Sequence, residues 1–307
     1  MVLLLGGSGY IGNQFLKELK KMGINTYDLS RSEYDYYDVD TLRRLIKTKG
    51  IKFLINCAGY TGKPNVDACE DNQKEALRGN VTLPRVIAKA CRYSKVPWAH
   101  VSSGCIYNGT KGANGFTEKD VPNFTFDYGN CSYYSGTKAM AEEALLKESD
   151  QCYIWRLRIP FDEFDGSRNY LSKLMRYPML LSVDNSISHR GDFVKYCLAL
   201  WQAKADFGIY NVVNTGAVTA KQITEKMKEI LNNDMSFKFF QSEQDMYSLG
   251  AARTPRSNCV LDNTKLRKAL YPKRVRTALK AVEHSLKHWI EEGKEKKDNG
   301  IPNSYWD

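Results

Sequence analysis

VLLLGGSGYIGNQFLKELKKMG, residues 2–23, decides the fold: an apolar run meets a cluster of glycines, and a helical pattern follows at once. Gly7, Gly9 and Gly12 satisfy G-x-G-x-x-G, while Gly6, Gly9 and Gly12 give the alternative G-x-x-G-x-x-G spacing. Such glycines permit a tight turn, close approach of backbone to a pyrophosphate and close helix packing, with the phosphates at the helix N-terminus. The spacing alone is a weak signal, but its place between a strand and a helix is the context the motif requires. The stretch predicts a dinucleotide cradle of Gly6, Gly7, Gly9, Tyr10, Ile11 and Gly12.

Working outward, INTYDL (24–29) reads as a second strand, DVDTLRRLIKTKG (38–50) as a helix and KFLINCAG (52–59) as a third strand. Helical spacing runs from about Cys69 to Tyr93, and WAHVSS (98–103) gives a fourth strand. Strands alternating with helices predict a parallel sheet covered on both faces, so the expected class is α/β, a doubly wound Rossmann sheet. SYYSGTKAMAEEALLK (132–147) is helical, and CYIWRLRIP (152–160) is a strand closed by proline. Beyond it the alternation is irregular, with short strands such as GIYNVVN (208–214) among helices such as TAKQITEKMKEILN (219–232). The expected division is 1–160 for the dinucleotide domain and 161–307 for a smaller α/β substrate domain, with some later segments returning to the first.

Composition sets bounds on function. A chain of 307 residues, 26% charged and 42% hydrophobic, has the makeup of a globular protein with a core that needs no staples. No apolar run approaches the roughly 20 residues of a membrane span. The opening MVLLLGG has no basic leader and runs into the glycine motif, so the expected location is cytoplasmic, without a membrane partner. The eight cysteines (57, 69, 91, 105, 131, 152, 197, 259) form no CxxC pair and do not cluster with the four histidines, which argues against zinc or disulfides. The formal charge of +10 is densest in KRVRTALK (273–280) and EEGKEKKDNG (291–300), read as a solvated helix and tail. Without basic-aromatic interleaving, no nucleic-acid partner is expected.

Two further stretches carry chemistry. The second strand ends in Asp28-Leu29-Ser30-Arg31: an aspartate there suits the ribose hydroxyl of NAD, whereas Ser30 and Arg31 suit the extra phosphate of NADP. NADPH is favoured on Arg31, with NADH the alternative. In the helix from Ser132, Tyr134 and Lys138 stand four apart and share a face, where an ammonium eases proton transfer by a phenol. Tyr133 competes, but its partner position holds Thr137, so the register picks Tyr134. The order of glycine motif, strand ending in Ser102 and Ser103, then this helix resembles the extended, nucleotide-sugar branch of the short-chain dehydrogenase/reductases.

Within that branch, AGYTGKPNVDACE (58–70), GCIYNG (104–109), YSGTKAMAEEALL (134–146), RLRIP (156–160), SRNYLSKLMRY (167–177), GIYNVVN and TPRSNCVLDNTKL (254–266) resemble the bifunctional UDP-4-keto-6-deoxyglucose 3,5-epimerase/4-reductases. That group makes UDP-L-rhamnose and is related to dTDP-4-dehydrorhamnose reductase. The resemblance implies a nucleotide-sugar substrate, UDP-linked, with Ser103 holding the sugar's keto oxygen, Tyr134 as acid and Lys138 on the cofactor ribose. Asp38, Ala58, Gly59 and Asn80 complete the cofactor contacts it implies. It pairs Cys105 with Lys173 for epimerisation, Cys105 as acid and Lys173 as base or the reverse; taken alone, Cys105 reads as a buried strand-end hydrophobe. It further implies substrate contacts at Asn65, Asp67, Arg168, Asn169, Arg256 and Asn258, and homodimerisation through helices near 75–93 and 134–148. Lys63 stands where the group usually carries arginine, and GIPNSYWD (300–307) has no counterpart in it. GDP-fucose synthases share the cysteine but use a histidine where this chain has Lys173. A reductase without epimerase activity and an NADP-binding regulatory subunit are the other readings.

Overall fold

The computed structural model describes residues 1–30, 32–232 and 234–298, with side chains up to Trp289. Arg31 and the GIPNSYWD stretch lie outside the described residues.

Six parallel strands form the central sheet: β1 (Val2–Leu5), β2 (Thr26–Leu29), β3 (Phe53–Asn56), β4 (Trp98–Ser103), β5 (Cys152–Leu157) and, much later, β8 (Gly208–Asn211). Their spatial order is β2-β1-β3-β4-β5-β8. β1 is buried at every position because helices cover both faces, which is why it reads as an unbroken apolar run. Its side chains alternate between two cores: Leu3 and Leu5 face one with Leu54 and Ile87, and Val2 and Leu4 face the other with Phe15 and Phe193. The strand order reverses between β1 and β3, so the crevice beyond their carboxyl ends is where this architecture accepts a ligand.

Helix α1 (Tyr10–Lys21) leaves the glycine turn with Gly9 at its N-cap. α2 (Val39–Thr48) starts where the Asp38 carboxylate accepts the Thr41 amide at 2.7 Å. The helix expected from Cys69 to Tyr93 is four pieces: α3 (Ala68–Asp71), α4 (Gln73–Leu77), a π turn (Arg78–Thr82) and α5 (Leu83–Ser94). Asn72, at φ −122° and ψ 49°, breaks the first two apart. α6 (Tyr133–Glu148) is capped by Ser132, whose hydroxyl accepts the Ser135 amide at 3.3 Å.

Past β5 the chain builds a second layer around the pair β6 (Pro160–Phe161) and β7 (Ser188–His189), with α7 (Tyr170–Arg176), α9 (Ala220–Leu231) and α12 (Ala278–Asp298). Phe161, Leu174, Ile187, Ile223, Val282 and Leu286 form its core. α8 (Arg190–Gln202) packs beside α1, α10 (Glu243–Ser248) precedes the TPRSN loop, and α11 (Thr264–Ala269) follows it. GIYNVVN does not belong to the second layer: β8 is the sixth strand of the main sheet, and Ile209 and Tyr210 enter its two opposite cores. Among the described residues no helix is long and apolar enough to cross a membrane.

Candidate active site

The cradle at the end of β1 is formed by backbone. Gly6 has φ +80°, and a Cβ there would meet the Ala58 amide nitrogen at 2.7 Å. A Cβ on Gly12 would sit 2.0 Å from the Gly6 carbonyl oxygen, so only glycine lets α1 approach the turn this closely. The turn closes by a 3.0 Å bond from the Gly9 amide to that same carbonyl. α1 has no side-chain cap and no acidic residue in its first turn, which leaves the amides beginning at Tyr10 and Ile11 for an anion. Arg190 stacks over the Tyr10 ring, 4.5 Å from its centroid. Asp28 lies against Gly7, where burial raises its carboxyl and the Gly7 amide opposes the shift. Ser30 is exposed at the end of β2, 2.8 Å from the Ser32 hydroxyl. Asp38 caps α2 through its Oδ1 and is exposed.

Opposite the cradle, Asn80 on the π turn clamps the chain after β3. Its Oδ1 accepts the Tyr60 amide at 2.8 Å, and its Nδ2 donates to the Tyr60 carbonyl at 2.9 Å and to Thr137 at 3.1 Å. That clamp ties Ala58 and Gly59 to α6, one residue before Lys138. A π turn lets one side chain leave the regular helical register, and such turns gather at functional sites.

β4 and α6 then bring the proton-transfer groups together. The Ser103 hydroxyl accepts the Cys105 amide at 3.2 Å, the start of a 3₁₀ turn over Gly104–Ile106 that folds Cys105 back beside Ser103. Tyr134 packs against this cluster, and the Ser103 hydroxyl opposes the rise that burial gives its phenol, while the Tyr133 ring packs on Phe126 at 5.3 Å. Burial raises the Tyr134 phenol and also the Cys105 thiol, which Ser103, Ser135, Arg158 and Lys138 partly offset, so both groups hold their protons at neutral pH. Lys138 is buried and its ammonium is lowered, with Cys105 and Glu142 opposing. It lies 3.3 Å from His100 Nε2 and donates to the Val101 carbonyl at 3.2 Å. His100 is buried and held well below its usual range, so it is neutral. Beneath them, Glu142 pairs with Arg156 at 2.6 Å and accepts from Ser102 at 2.5 Å.

The second layer supplies the facing wall. Lys173 on α7 is partly buried; burial, Arg168 and Arg256 all lower its ammonium. No bond joins Lys173 to Cys105 in this structure; the cleft is the crevice at the carboxyl ends of the strands, where the strand order reverses. Arg168 donates to Thr61 and to the Gly62 carbonyl, both at 3.1 Å, bridging α7 to the loop after β3. Asn65 turns that loop by accepting the Asp67 amide at 2.8 Å. Asp67 and Arg256 pair with each other at 2.7 Å, and Thr254 donates to the same carboxylate at 2.6 Å. Burial raises Asp67, but Thr254 and Arg256 outweigh it and hold the carboxyl low. Asn258 Oδ1 accepts from Asn185 at 3.1 Å, leaving its buried Nδ2 without a partner.

Asn169 departs from its expected role as a sugar contact. It is fully buried, its Oδ1 caps α7 through the Leu171 amide at 3.0 Å, and its Nδ2 donates to Asp162 and to the Phe164 carbonyl. Every polar atom of the side chain is committed to the fold. Four neighbours, on the other hand, were not read as site residues: His100, Ser135, Glu142 and Arg158. Arginines at 156 and 158 in an otherwise apolar strand were the signal for the last two, since a buried charge demands a partner. His189 and His284, which do not cluster in sequence, both reach Glu163 Oε1, at 3.1 and 3.3 Å, fastening α12 to the loop after β6.

Comparison with known proteins places this geometry. Residues 1–288 match the family described as RmlD substrate binding domain. A bifunctional dTDP-4-dehydrorhamnose 3,5-epimerase/dTDP-4-dehydrorhamnose reductase of Arabidopsis thaliana is 32% identical over 273 residues, which cover 86% of this chain and 86% of that protein. The trifunctional UDP-glucose 4,6-dehydratase/UDP-4-keto-6-deoxy-D-glucose 3,5-epimerase/UDP-4-keto-L-rhamnose-reductase RHM1 of the same plant is 33% identical, but the chain spans only 39% of its length. Among solved structures, the L780 UDP-rhamnose synthase of Acanthamoeba polyphaga mimivirus superposes with a TM-score of 0.84 at 23% identity over 94% of this chain and 98% of that one. The dTDP-4-dehydrorhamnose reductase of Bacillus anthracis, solved in complex with NADP, gives 0.75 at 18% identity over 95% and 97%. At these identities the two structures speak for the fold alone.

Proposed function

The chain belongs to the RmlD substrate binding domain family, and from that premise we propose that it is an NADPH-dependent 3,5-epimerase/4-reductase acting on a UDP-linked 4-keto-6-deoxy sugar. The single observation that carries the reading is the convergence of Ser103, Cys105 and Tyr134 at one edge of the cleft, with Lys138 behind them. A reductase alone needs the serine, tyrosine and lysine. A thiol folded back onto the same serine stands beside whatever carbonyl that serine holds.

The glycine cradle and uncapped α1 fit a dinucleotide's pyrophosphate, with Gly6, Gly7, Gly9 and Gly12 leaving the space and Tyr10 and Ile11 opening the helix. Ser30 at the end of β2, with Arg31, is where a 2′-phosphate would be held. NADPH, when bound, supplies the hydride for C4. Ser103 holds the keto oxygen, Tyr134 delivers the proton to it, and Lys138 orients the tyrosine and the cofactor ribose.

Epimerisation uses the same carbonyl, which makes the hydrogens on C3 and C5 acidic. Lys173, whose ammonium is lowered by burial and by two arginines, removes a proton from one face. Cys105, kept protonated by burial, returns one to the other face. Arg256, freed from Asp67 by a competing pyrophosphate, and Arg168 hold the nucleotide portion. Exposed Tyr93, Met140 and Leu146 on α5 and α6 give a second copy an apolar face to cover, in keeping with a homodimer.

Incubation of the UDP-linked 4-keto-6-deoxy-D-glucose with enzyme and NADPH in D2O, followed by NMR of the product, tests the proposal. Deuterium at C3 and C5 in a product of L-rhamnose configuration supports it. A reduced but unlabelled sugar leaves reductase activity alone and overturns the epimerase half.

A further inference from the structure

The end of β5 carries two buried arginines, and only one has a counter-ion. Arg156 is clasped by Glu142. Arg158, 8% exposed, has no carboxylate partner among the described residues: its Nη2 donates to Asn185 Oδ1 at 2.7 Å and to the Ser257 carbonyl, and its buried Nε meets no acceptor. A guanidinium withdrawn from water without a counter-ion is strongly disfavoured, so its retention calls for an anion that is present at some other moment.

The place where that anion can form is adjacent. The stem of Arg158 runs along Gly104, where a Cβ would lie 3.5 Å from Arg158 Cδ, and Gly104 precedes Cys105. The guanidinium's charge acts on the Cys105 thiol and on the Tyr134 phenol. The next residue, Ile159, has φ +38°, a conformation that β-branched side chains resist and that is found where function holds a chain under strain. Ser103 from β4, Tyr134, Ser135 and Lys138 from α6, Cys69 from α3 and Cys131 before α6 complete the ionisable and polar surroundings of the thiol. Lys138 spends two of its three N–H donors on His100 and the Val101 carbonyl, and Arg158 keeps its buried Nε–H unspent.

We propose that Arg158 is a positioning residue for proton transfer at Cys105, the buried counter-cation of the thiolate left when Cys105 gives up its proton. This rests on the epimerase reading of the site. Lys173 takes a proton from the carbon beside the ketone, and the C–H electron pair passes into an enolate. On the opposite face the Cys105 S–H bond breaks, its proton forms the new C–H bond as the carbonyl returns, and the S–H electron pair stays on sulfur beside Arg158. The Lys173 ammonium then releases its proton to water and the thiolate takes one back, which restores both groups.

The test is a substrate-free titration of Cys105, read as thiolate absorbance at about 240 nm after subtracting the same protein carrying Cys105→Ser. Arg158→Met is expected to leave about tenfold less thiolate at a given alkaline pH, equivalent to about one pH unit, and Arg158→Lys to recover most of it. Asn185→Asp serves where Arg158→Met does not fold: the new carboxylate, at the position now accepting Arg158 Nη2, neutralises the guanidinium in place, and Asn258 can turn its unpartnered Nδ2 toward it. It is expected to reduce thiolate likewise. A Cys105 titration unchanged in folded Arg158→Met or in Asn185→Asp overturns the role of Arg158. Because no sugar is present, that outcome is separate from failure of carbon-proton exchange in the parent enzyme, which overturns the epimerase reading instead.

Discussion

The two walls of the cleft are held by different means. On the sheet side, Ser103, Cys105, Tyr134 and Lys138 rest on a buried scaffold in which Asn80, His100, Glu142 and Arg156 are hydrogen-bonded to fixed partners. On the side of the second layer, the charges that act on Lys173 among the described residues are the cations Arg168 and Arg256, and these two are bonded to groups of the opposite loop that a ligand can displace. Proton transfer demands groups placed in advance, because a small error in position costs rate steeply. Binding a large anion tolerates, and gains from, cations that exchange one partner for another.

That contrast can be broken from the rigid side first. Tyr134→Phe removes the proton donor without disturbing the fold, and reduction of a 4-keto sugar should fall by about 10²- to 10⁴-fold, measured as NADPH oxidation. An unchanged rate would remove Tyr134 from the chemistry. Glu142→Gln leaves Arg156 buried with a neutral partner and should cost about 3–5 kcal/mol in urea unfolding, since one member of a buried pair is lost. A loss below about 1 kcal/mol, the range of a surface pair, would mean that this wall is not held as described.

On the other side the effects shrink. Asn169→Ala deletes the cap of α7 and three donated bonds, so stability should drop by about 1–3 kcal/mol. Half-saturation by sugar should change only through the displacement of Lys173; a selective binding defect at unaltered stability would restore Asn169 as a substrate contact. Asp67→Asn weakens the hold on Arg256, and stability should stay within about 1 kcal/mol of the parent. The half-saturating nucleotide-sugar concentration should fall by up to about fivefold, the equivalent of about 1 kcal/mol. A rise would show that Asp67 itself binds the substrate.

What could be read in the sequence follows the same division. Val2–Leu5, the glycine turn and α1 are contiguous, so period and composition reveal them; Ser103, Tyr134 and Lys138 lie in a strand and a helix whose patterns are local. Some features that escaped are set by distant pairing. β8 looks like any short strand, and only its bonds to β5, more than fifty residues earlier, assign it to the main sheet. Asn169 escaped for another reason: its partners Asp162, Phe164 and Leu171 are only two to seven residues away, but in a polar stretch after an arginine a buried helix cap reads the same as a binding-loop residue. The lack of a counter-ion at Arg158, against the full pairing of Arg156, is invisible until Glu142 is seen to serve one and not the other.

The central claim, that one cleft performs epimerisation and reduction with separable groups, is tested most directly by Cys105→Ser. Two reactions should be followed on this variant: solvent deuterium entry at C3 and C5 of the UDP-linked 4-keto-6-deoxy-D-glucose, and NADPH oxidation with the already epimerised UDP-4-keto-L-rhamnose. The expected result is loss of deuterium entry with reduction retained near the parent rate. Deuterium entry at the parent rate, or equal loss of both reactions in a folded protein, would contradict it.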